Sequence, residues 1–403
     1  MQISSANRYT VQVDQLMAEE NTMNVTQQQL TTGLRVNTPG DDPTAASANE
    51  RVLANEARTA ATQTAVNASN NSMTLSESAL GSANSLLQSI NQDIIQAGNA
   101  TLTDTDRQSL ATQISQLRNQ LLTVANSTDG NGSYLFGGQA SSQPPFVDAA
   151  GGVQYQGTDS VSYAATGQGL ALPLTMDGKS AFMQATSGNG VFTTSAVTDN
   201  GGAWIDPGTV TNAAALTGAT YQIQFSVAGG NTTYSILKNG VATSQTNVAF
   251  KPPQAVQVDG MSATISGAPA NGDVFQIAPS TAGLSVFDVI DRTIADLNQT
   301  GRTSGQIAQA NSSNLQALNQ CMVQVESARS QAGAAMNRIS EVTTQLSAQT
   351  LADQTQSSNL VDANETQALS TFSTEQTGYQ AALKAYSMIQ GLSLFNYLSS
   401  SSG

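Results

Sequence analysis

The two ends of the chain carry apolar stripes at helical spacing, and these stripes restrict the fold more than any other feature. From Val13 to Leu34, seven positions alternate steps of three and four residues, with Glu20 and Gln27 as polar interruptions. The same spacing runs from Phe372 to Tyr386, where the stripe carries large aromatic rings. A period of about 3.5 residues is typical of a coiled coil. Both ends are therefore predicted to be long helices whose stripes form an interface.

The residues of this predicted assembly interface lie on the two striped faces and in the last apolar run of the chain. They are Val13, Leu16, Met23, Leu30, Leu34, Phe372, Tyr379, Leu383, Tyr386, Leu394, Phe395, Tyr397 and Leu398. Charged residues make up only 10% of the chain, against about 25% in a typical protein. Glu–Lys pairs can therefore add little to these helices, which need packing partners.

Spacing alone leaves open what covers the stripes. They fit an ordinary bundle within one chain, and they fit equally an interface with a neighbouring molecule. The Ser, Gln and Thr residues that flank the C-terminal stripe leave it little else to pack against. This composition favours the intermolecular interpretation, while the intramolecular one stays open.

Further helices are predicted inside both ends. Breaking residues at 37–40 end the first helix, and Asp41 or Asp42 can cap a new one with Pro43 in its first turn. That helix is predicted to run to about residue 98, and a third is predicted to start at residue 103 or 104. Helical spacing returns near residue 285 and continues to the C-terminal stripe.

The middle of the chain has a different character, rich in Gly, Thr, Val and aromatic residues. Apolar residues alternate with polar ones from Ala219 to Val227, as in a half-buried strand. Asn239-Gly240 and Asp259-Gly260 are typical of tight hairpins. These patterns predict an α+β multidomain protein, with long terminal α-helices forming a coiled coil or helical bundle from both chain ends and an inserted, mainly antiparallel β region.

The predicted division follows these changes of pattern. Residues 1–43 and 359–403 are the terminal coiled-coil segments. Residues 44–128 and 286–358 form the helical bundle. Residues 129–285 form the β region, of one or two subdomains.

Composition limits the function. The net charge is −14 and the chain has no histidine, which disfavours nucleic acid as a partner and removes the commonest general base and metal ligand. No apolar window is long enough for a transmembrane helix, and residues 1–8 do not resemble a secretory signal. Cys321, the single cysteine, is expected to be a small buried residue.

Other candidate sites are weak. Asp129, Asn131 and Ser133 imitate the start of a calcium loop, but the later glycine and glutamate are missing, so a turn is expected. Asp104 and Asp106 are expected to be charges at a helix start. We therefore predict no catalytic, cofactor-binding or metal-binding residues, and no enzyme activity.

The helix-break motif carries a resemblance to a known family. The stretch from Thr32 to Pro43, with Arg35, Asp41 and Asp42, resembles the helix break of flagellins and related flagellar axial proteins. Residues 125–138 and 385–398 are similar to the members of that family that join hook and filament. Arg35 is expected to pair with Asp41 or Asp42 and to fix the break.

The resemblance implies a structural subunit that self-associates as a ring. Its implied partners are the first hook–filament junction protein, flagellin and a cytoplasmic export chaperone, with no membrane insertion. It also implies export through the flagellar channel to the extracellular flagellum, and terminal segments that are disordered in the monomer. Two alternatives stay open: a flagellin-type filament subunit, and an adhesive or binding module on the β region.

Overall fold

The computed structural model describes the backbone of residues 5–140, 142–164 and 171–400, and the side chains of residues 10–140, 142–164 and 171–388. Seven α-helices lie within these ranges. They are α1 Ser5–Thr32, α2 Pro43–Ala97, α3 Asp104–Ala125, α4 Gly178–Phe182, α5 Val286–Asn298, α6 Ser304–Val361 and α7 Glu365–Ser400. Among these described helices, none combines the length and apolar character needed to cross a lipid bilayer.

Short strands occupy most of the middle of the chain. They are β1 Phe146–Ala149, β2 Gly152–Tyr155, β3 Tyr163–Ala164, β4 Leu172–Pro173, β5 Ala185–Thr186, β6 Phe192–Thr198, β7 Trp204–Ile205, β8 Thr209–Val210, β9 Tyr221–Ala228, β10 Asn231–Lys238, β11 Val241–Ala242, β12 Val248–Ala249, β13 Gln254–Val258, β14 Met261–Ser266, β15 Val274–Pro279 and β16 Ala282–Leu284. The predicted α+β architecture with an antiparallel β insert is confirmed.

The chain divides into two compact units. The first comprises Met1–Gln63 and Thr343–Gly403, and the second comprises Thr64–Val342. The three-part division expected from the sequence is a different partition, and it stays a prediction.

The helices of the second unit enclose a continuous apolar core. The stripe of α2 between Met73 and Ile94 is at most 1% exposed at its seven seam positions. Side chains join the helices at the rim of this core: Arg329 donates to Glu77 at 2.7 Å, and Asn314 donates to Asp296 at 2.8 Å. The stripe therefore packs within the unit, as a bundle requires.

A buried arginine ties the first β-hairpin to this bundle. Arg118 of α3 donates two hydrogen bonds to Asp291 of α5, at 2.8 and 2.9 Å. It donates two more to Asp148 of β1, at 2.6 and 3.0 Å. Paired donors on two carboxylates fix geometry as well as charge, so this side chain locates the hairpin on the helices.

Two antiparallel sheets form the larger part of the insert. One has the order β11-β10-β9-β15-β6, with β12 also on β10, and the other has the order β13-β14-β7, with β8 also on β14. Apolar residues of both sheets share one buried cluster. The hairpin turns predicted at Asn239-Gly240 and Asp259-Gly260 are both present, with positive φ at all four residues, as a two-residue turn with the twist of the strands requires.

Glutamines of α6 connect the insert to the bundle within this unit. Gln309 accepts from the backbone N–H of Ile205 at 2.8 Å. Gln316 donates to the carbonyl of Gly188 at 3.0 Å, and Gln324 donates to that of Ser180 at 2.7 Å. These side chains bond to backbone groups of β7, of the turn after β5 and of α4, so these elements lie on a polar helix face.

Candidate assembly interface

The terminal helices α1 and α7 lie side by side in the first unit. The backbone of Leu34, just after α1, pairs with that of Asp362, just before α7. Because α1 runs into this point and α7 runs out of it, the two helices are antiparallel. The two chain ends therefore pack on each other, as their stripes predicted.

The predicted interface residues are only partly covered by this pairing. Val13, Leu16, Met23, Leu30 and Leu34 are half-buried, as are Phe372, Tyr379 and Tyr386, while Leu383 is 42% exposed. The side chains of Leu394, Phe395, Tyr397 and Leu398 lie outside the described residues. One helical partner covers one side of a striped helix, so much of the apolar surface of each helix stays exposed to solvent.

Sequence analysis missed a second set of apolar residues on the same helices. Met17, Leu369 and Met388 are 63%, 62% and 59% exposed, and Val11 and Val25 are exposed as well. For α1 the signal was present in the spacing, since Val11 and Val25 are two heptads apart. On α7, Leu369 lies three residues before Phe372 and extends the predicted stripe. On α1, a second stripe at heptad spacing indicates partners on two sides of the helix.

The end of α6 in the first unit carries a further uncovered face. Ala348, Leu351, Ala352, Thr355 and Leu360 line an open groove, in which Leu351 is 65% exposed. Gln356 and Asn359 complete a series of three- and four-residue steps that places this lining on one side of the helix. The first unit thus presents apolar surface on α1, α6 and α7.

The helix-break motif is an ordered turn, and the structure shows which of its two aspartates pairs with Arg35. Asp42 accepts from the backbone N–H of Thr44 and Ala45, at 3.2 and 3.0 Å, and so caps α2. Arg35 pairs with Asp42 at 3.2 Å. Asp41 instead accepts from two backbone N–H groups of the preceding turn, Asn37 and Thr38, at 2.9 and 2.7 Å.

Electrostatics favour the charged form of both aspartates. The backbone N–H groups of Thr38 and Asn37 hold the pKa of Asp41 below its usual value. The backbone N–H of Ala45, followed by Arg35, does the same for the pKa of Asp42. Hydrogen bonds to the ionised carboxylates lower both pKa values, so both aspartates carry their negative charge at neutral pH.

The break also holds the end of α6. The backbone N–H of Arg35 donates to the carbonyl of Val361 at 2.7 Å, and its guanidinium donates to the carbonyl of Leu360 at 2.7 Å. Ala363 donates to Gly33 at 2.8 Å, and Gly33 adopts φ 72°. Val36, Ala45 and Val361 form a small buried cluster beneath these bonds. The motif therefore joins four helix ends of the first unit at one point.

The other candidates of the sequence have structural roles. Asp129 accepts from the backbone N–H of Asn131 and Ser133, which confirms the turn. Asp106 and Thr103 cap α3 reciprocally. Cys321 is buried, and burial raises the pKa of its thiol to about 12.

Long antiparallel terminal helices with partly uncovered apolar stripes, joined at the helix-break motif, indicate a helical structural subunit. Residues 3–141 match the bacterial flagellin N-terminal helical region, and residues 315–398 match the bacterial flagellin C-terminal helical region. Together these two regions cover more than half of the chain. The chain belongs to the flagellin-like family of bacterial flagellar proteins.

Individual relatives are similar over different extents. The flagellar hook-associated protein 3 of Salmonella typhimurium is 39% identical over 149 residues, which cover 34% of this chain and 46% of that protein. A crystal structure of hook-associated protein 3 from Legionella pneumophila has a TM-score of 0.71 at 27% identity, covering 78% of this chain and 98% of that one. Xanthomonas campestris FlgL has a TM-score of 0.69 at 27% identity, covering 77% and 99%. The aligned part spans less than half the length of the curated relatives that the chain matches.

Proposed function

We propose that this chain is a structural subunit of the bacterial flagellum that forms the junction between hook and filament. In this role it provides the platform on which flagellin assembles. The observation that carries the proposal is the uncovered apolar surface of α1, α6 and α7 in the first unit. The similarity of the chain to solved FlgL structures, over nearly the full length of those structures, supports the same role.

The physical logic of the role is coupled folding. A two-helix pair that covers one side of each stripe gains most of its apolar burial when neighbouring subunits arrive. Copies of this chain in a ring, the first hook–filament junction protein and flagellin are the proposed neighbours. A cytoplasmic chaperone is proposed to cover the C-terminal stripe before export through the flagellar channel to the cell exterior.

A deletion strain tests this function. We expect cells that lack the gene to carry hooks without filaments and to release unpolymerised flagellin into the medium. Electron microscopy of the cell surface and immunoblotting of the medium measure the two effects, and a plasmid copy of the gene is the control. Normal filaments in the deletion strain would refute the junction role. Long filaments grown by the purified protein alone would instead identify a filament subunit.

A further inference from the structure

A groove of about 260 Å³ lies within the second unit, whereas the assembly surfaces described above belong to the first. Its lining includes Thr193, Thr194 and Ser195 of β6, Arg292 of α5 and Ser312 of α6. The groove opens where the insert meets the bundle, and the proposed junction role makes no use of it.

The charge of this groove is opposite to that of the chain. Arg292 is the single charged residue in the lining, in a protein with 28 acidic and 14 basic residues. Within the described part of the chain Arg292 makes no ion pair, whereas Arg118 and Arg302 do. A guanidinium with free donors is suited to a carboxylate, which it binds with two parallel hydrogen bonds.

Strand β6 adds backbone hydrogen-bonding groups to the same groove. It is the last strand of its sheet and pairs with β15 on one side only. The N–H and carbonyl of Phe192 bond to Asn189 at 2.9 and 3.0 Å, away from β15. Backbone groups alternate in direction along an antiparallel strand, so the N–H and carbonyl of Thr194 lie on the open edge as well.

Hydroxyl groups and a short apolar surface complete the lining. The hydroxyls of Ser195 and Ser312 have no hydrogen-bond partner among the described residues, and each can donate and accept. Pro207, Leu284 and Ala317 supply carbon surface beside them. A site with one cation, several hydroxyls and some carbon surface matches a compact ligand with a carboxylate, several hydroxyls and a C–H face.

We propose that this groove binds a sugar acid, a single pyranose ring that carries a carboxylate. The carboxylate lies on Arg292, and the ring hydroxyls bond to Ser195, Ser312 and the edge of Thr194. An inorganic anion would accept from the arginine and the hydroxyls but would leave the carbon surface of Pro207, Leu284 and Ala317 unused. An extended peptide would need a longer free edge, but β6 has only 7 residues and Asn189 already occupies its edge at Phe192.

Isothermal titration of the full chain with D-glucuronate tests the proposal. We expect saturable binding with a Kd in the low millimolar range, and binding of D-glucose at least tenfold weaker because it lacks the carboxylate. The Arg292→Gln variant should lose at least tenfold in affinity for glucuronate. The matched control is Arg338→Gln, an exposed arginine of α6 with no ion pair in the described chain, which should leave binding unchanged.

Several results would overturn this assignment. Acetate or sulfate that binds as tightly as glucuronate would reduce the groove to a general anion site. A short acidic peptide that binds more tightly would assign it to a protein partner. Undiminished binding by Arg292→Gln, or no binding at about 10 mM glucuronate, would remove the site. Arg292 is exposed and unpaired in the described structure, so its variant should melt like the wild type. These outcomes are independent of filament assembly.

Discussion

The stripe of α2 and the stripes of the terminal helices follow the same spacing but reach different burial. In the second unit, Leu80, Leu87 and Ile90 of α2 are 0% exposed, because other helices of the bundle surround that stripe. In the first unit, Leu16 and Tyr379 are only half-buried, because each terminal helix has one partner. The difference teaches that a heptad stripe identifies the face of a helix that binds, and the number of neighbours determines how much of it is buried.

The largest expected effect is a loss in the free energy of unfolding when the same substitution is made in each of the two stripes. Leu87→Ala should lower the free energy of unfolding by about 2–5 kcal/mol, since it opens a cavity in a closed core. Leu16→Ala removes the same atoms from a half-covered face and should lower it by about 1 kcal/mol or less. Urea unfolding followed by circular dichroism measures both values in the isolated protein. Equal losses would mean that the terminal stripe is fully covered within one chain.

The next effect concerns the polar contact between α6 and the insert. Gln309→Ala leaves the backbone N–H of Ile205 without its partner. We expect a loss of about 1–3 kcal/mol, the range for a buried donor left unsatisfied. Gln331→Ala, at an exposed position of the same helix, is the control and should change stability by less than about 0.5 kcal/mol. Similar values for the two variants would show that the insert does not depend on this glutamine.

A smaller effect depends on pH. Lys238 donates to Asp259 at 2.6 Å and Tyr221 donates to the same carboxylate, which together hold the pKa of Asp259 at about 2. The unfolded value is about 3.9. Because the folded pKa is the lower one, Asp259 stabilises the protein fully above about pH 4, and this contribution is lost as the pH falls from about 4 to 2. Urea midpoints of wild type and Asp259→Asn should therefore differ at pH 7 and converge near pH 2. A constant difference would contradict this assignment.

The smallest effect on the isolated chain should come from the uncovered groove of α6. Leu351 is 65% exposed, so Leu351→Gln should change the free energy of unfolding by less than about 0.5 kcal/mol. If a neighbouring subunit covers this groove, the same variant should reduce filament number and swimming in a complemented deletion strain. Val241→Gln, at a 71% exposed position of the insert, is the matched control and should leave both unchanged. Full motility of Leu351→Gln would exclude this groove from the interface.

Several parts of the fold could be predicted because their causes are local. The starts of α2, α3 and α5 agree with the predictions within about one or two residues, since each depends on a cap or a proline within one turn. The two hairpin turns were predicted because Asn-Gly and Asp-Gly adopt positive φ readily. The turn at Asp129 and the buried state of Cys321 were predicted for similar reasons.

Other parts could not be predicted, because they join residues that are distant in the chain. The break motif allowed either Asp41 or Asp42 as the partner of Arg35, and only folding brought Asp42 and the carbonyl of Leu360 to that guanidinium. The four hydrogen bonds that Arg118 donates to Asp148 and Asp291 cannot be predicted from the spacing of these residues in the sequence. The second apolar stripe of α1 was visible at heptad spacing, but nothing local distinguishes it from scattered surface residues.

By itself, the sequence determined that both ends of the chain are helical, where α2, α3 and α5 begin, and which faces of the terminal helices are apolar. These properties follow from caps, turns and periodicity, which act over a few residues. The short helix α4 and the breaks that separate α5, α6 and α7 were not predicted. Only the tertiary structure decided which stripes are enclosed and which stay open. It also decided where Arg292 and the edge of β6 meet. Burial depends on how many elements converge on a face, and that number is set by contacts between residues hundreds of positions apart.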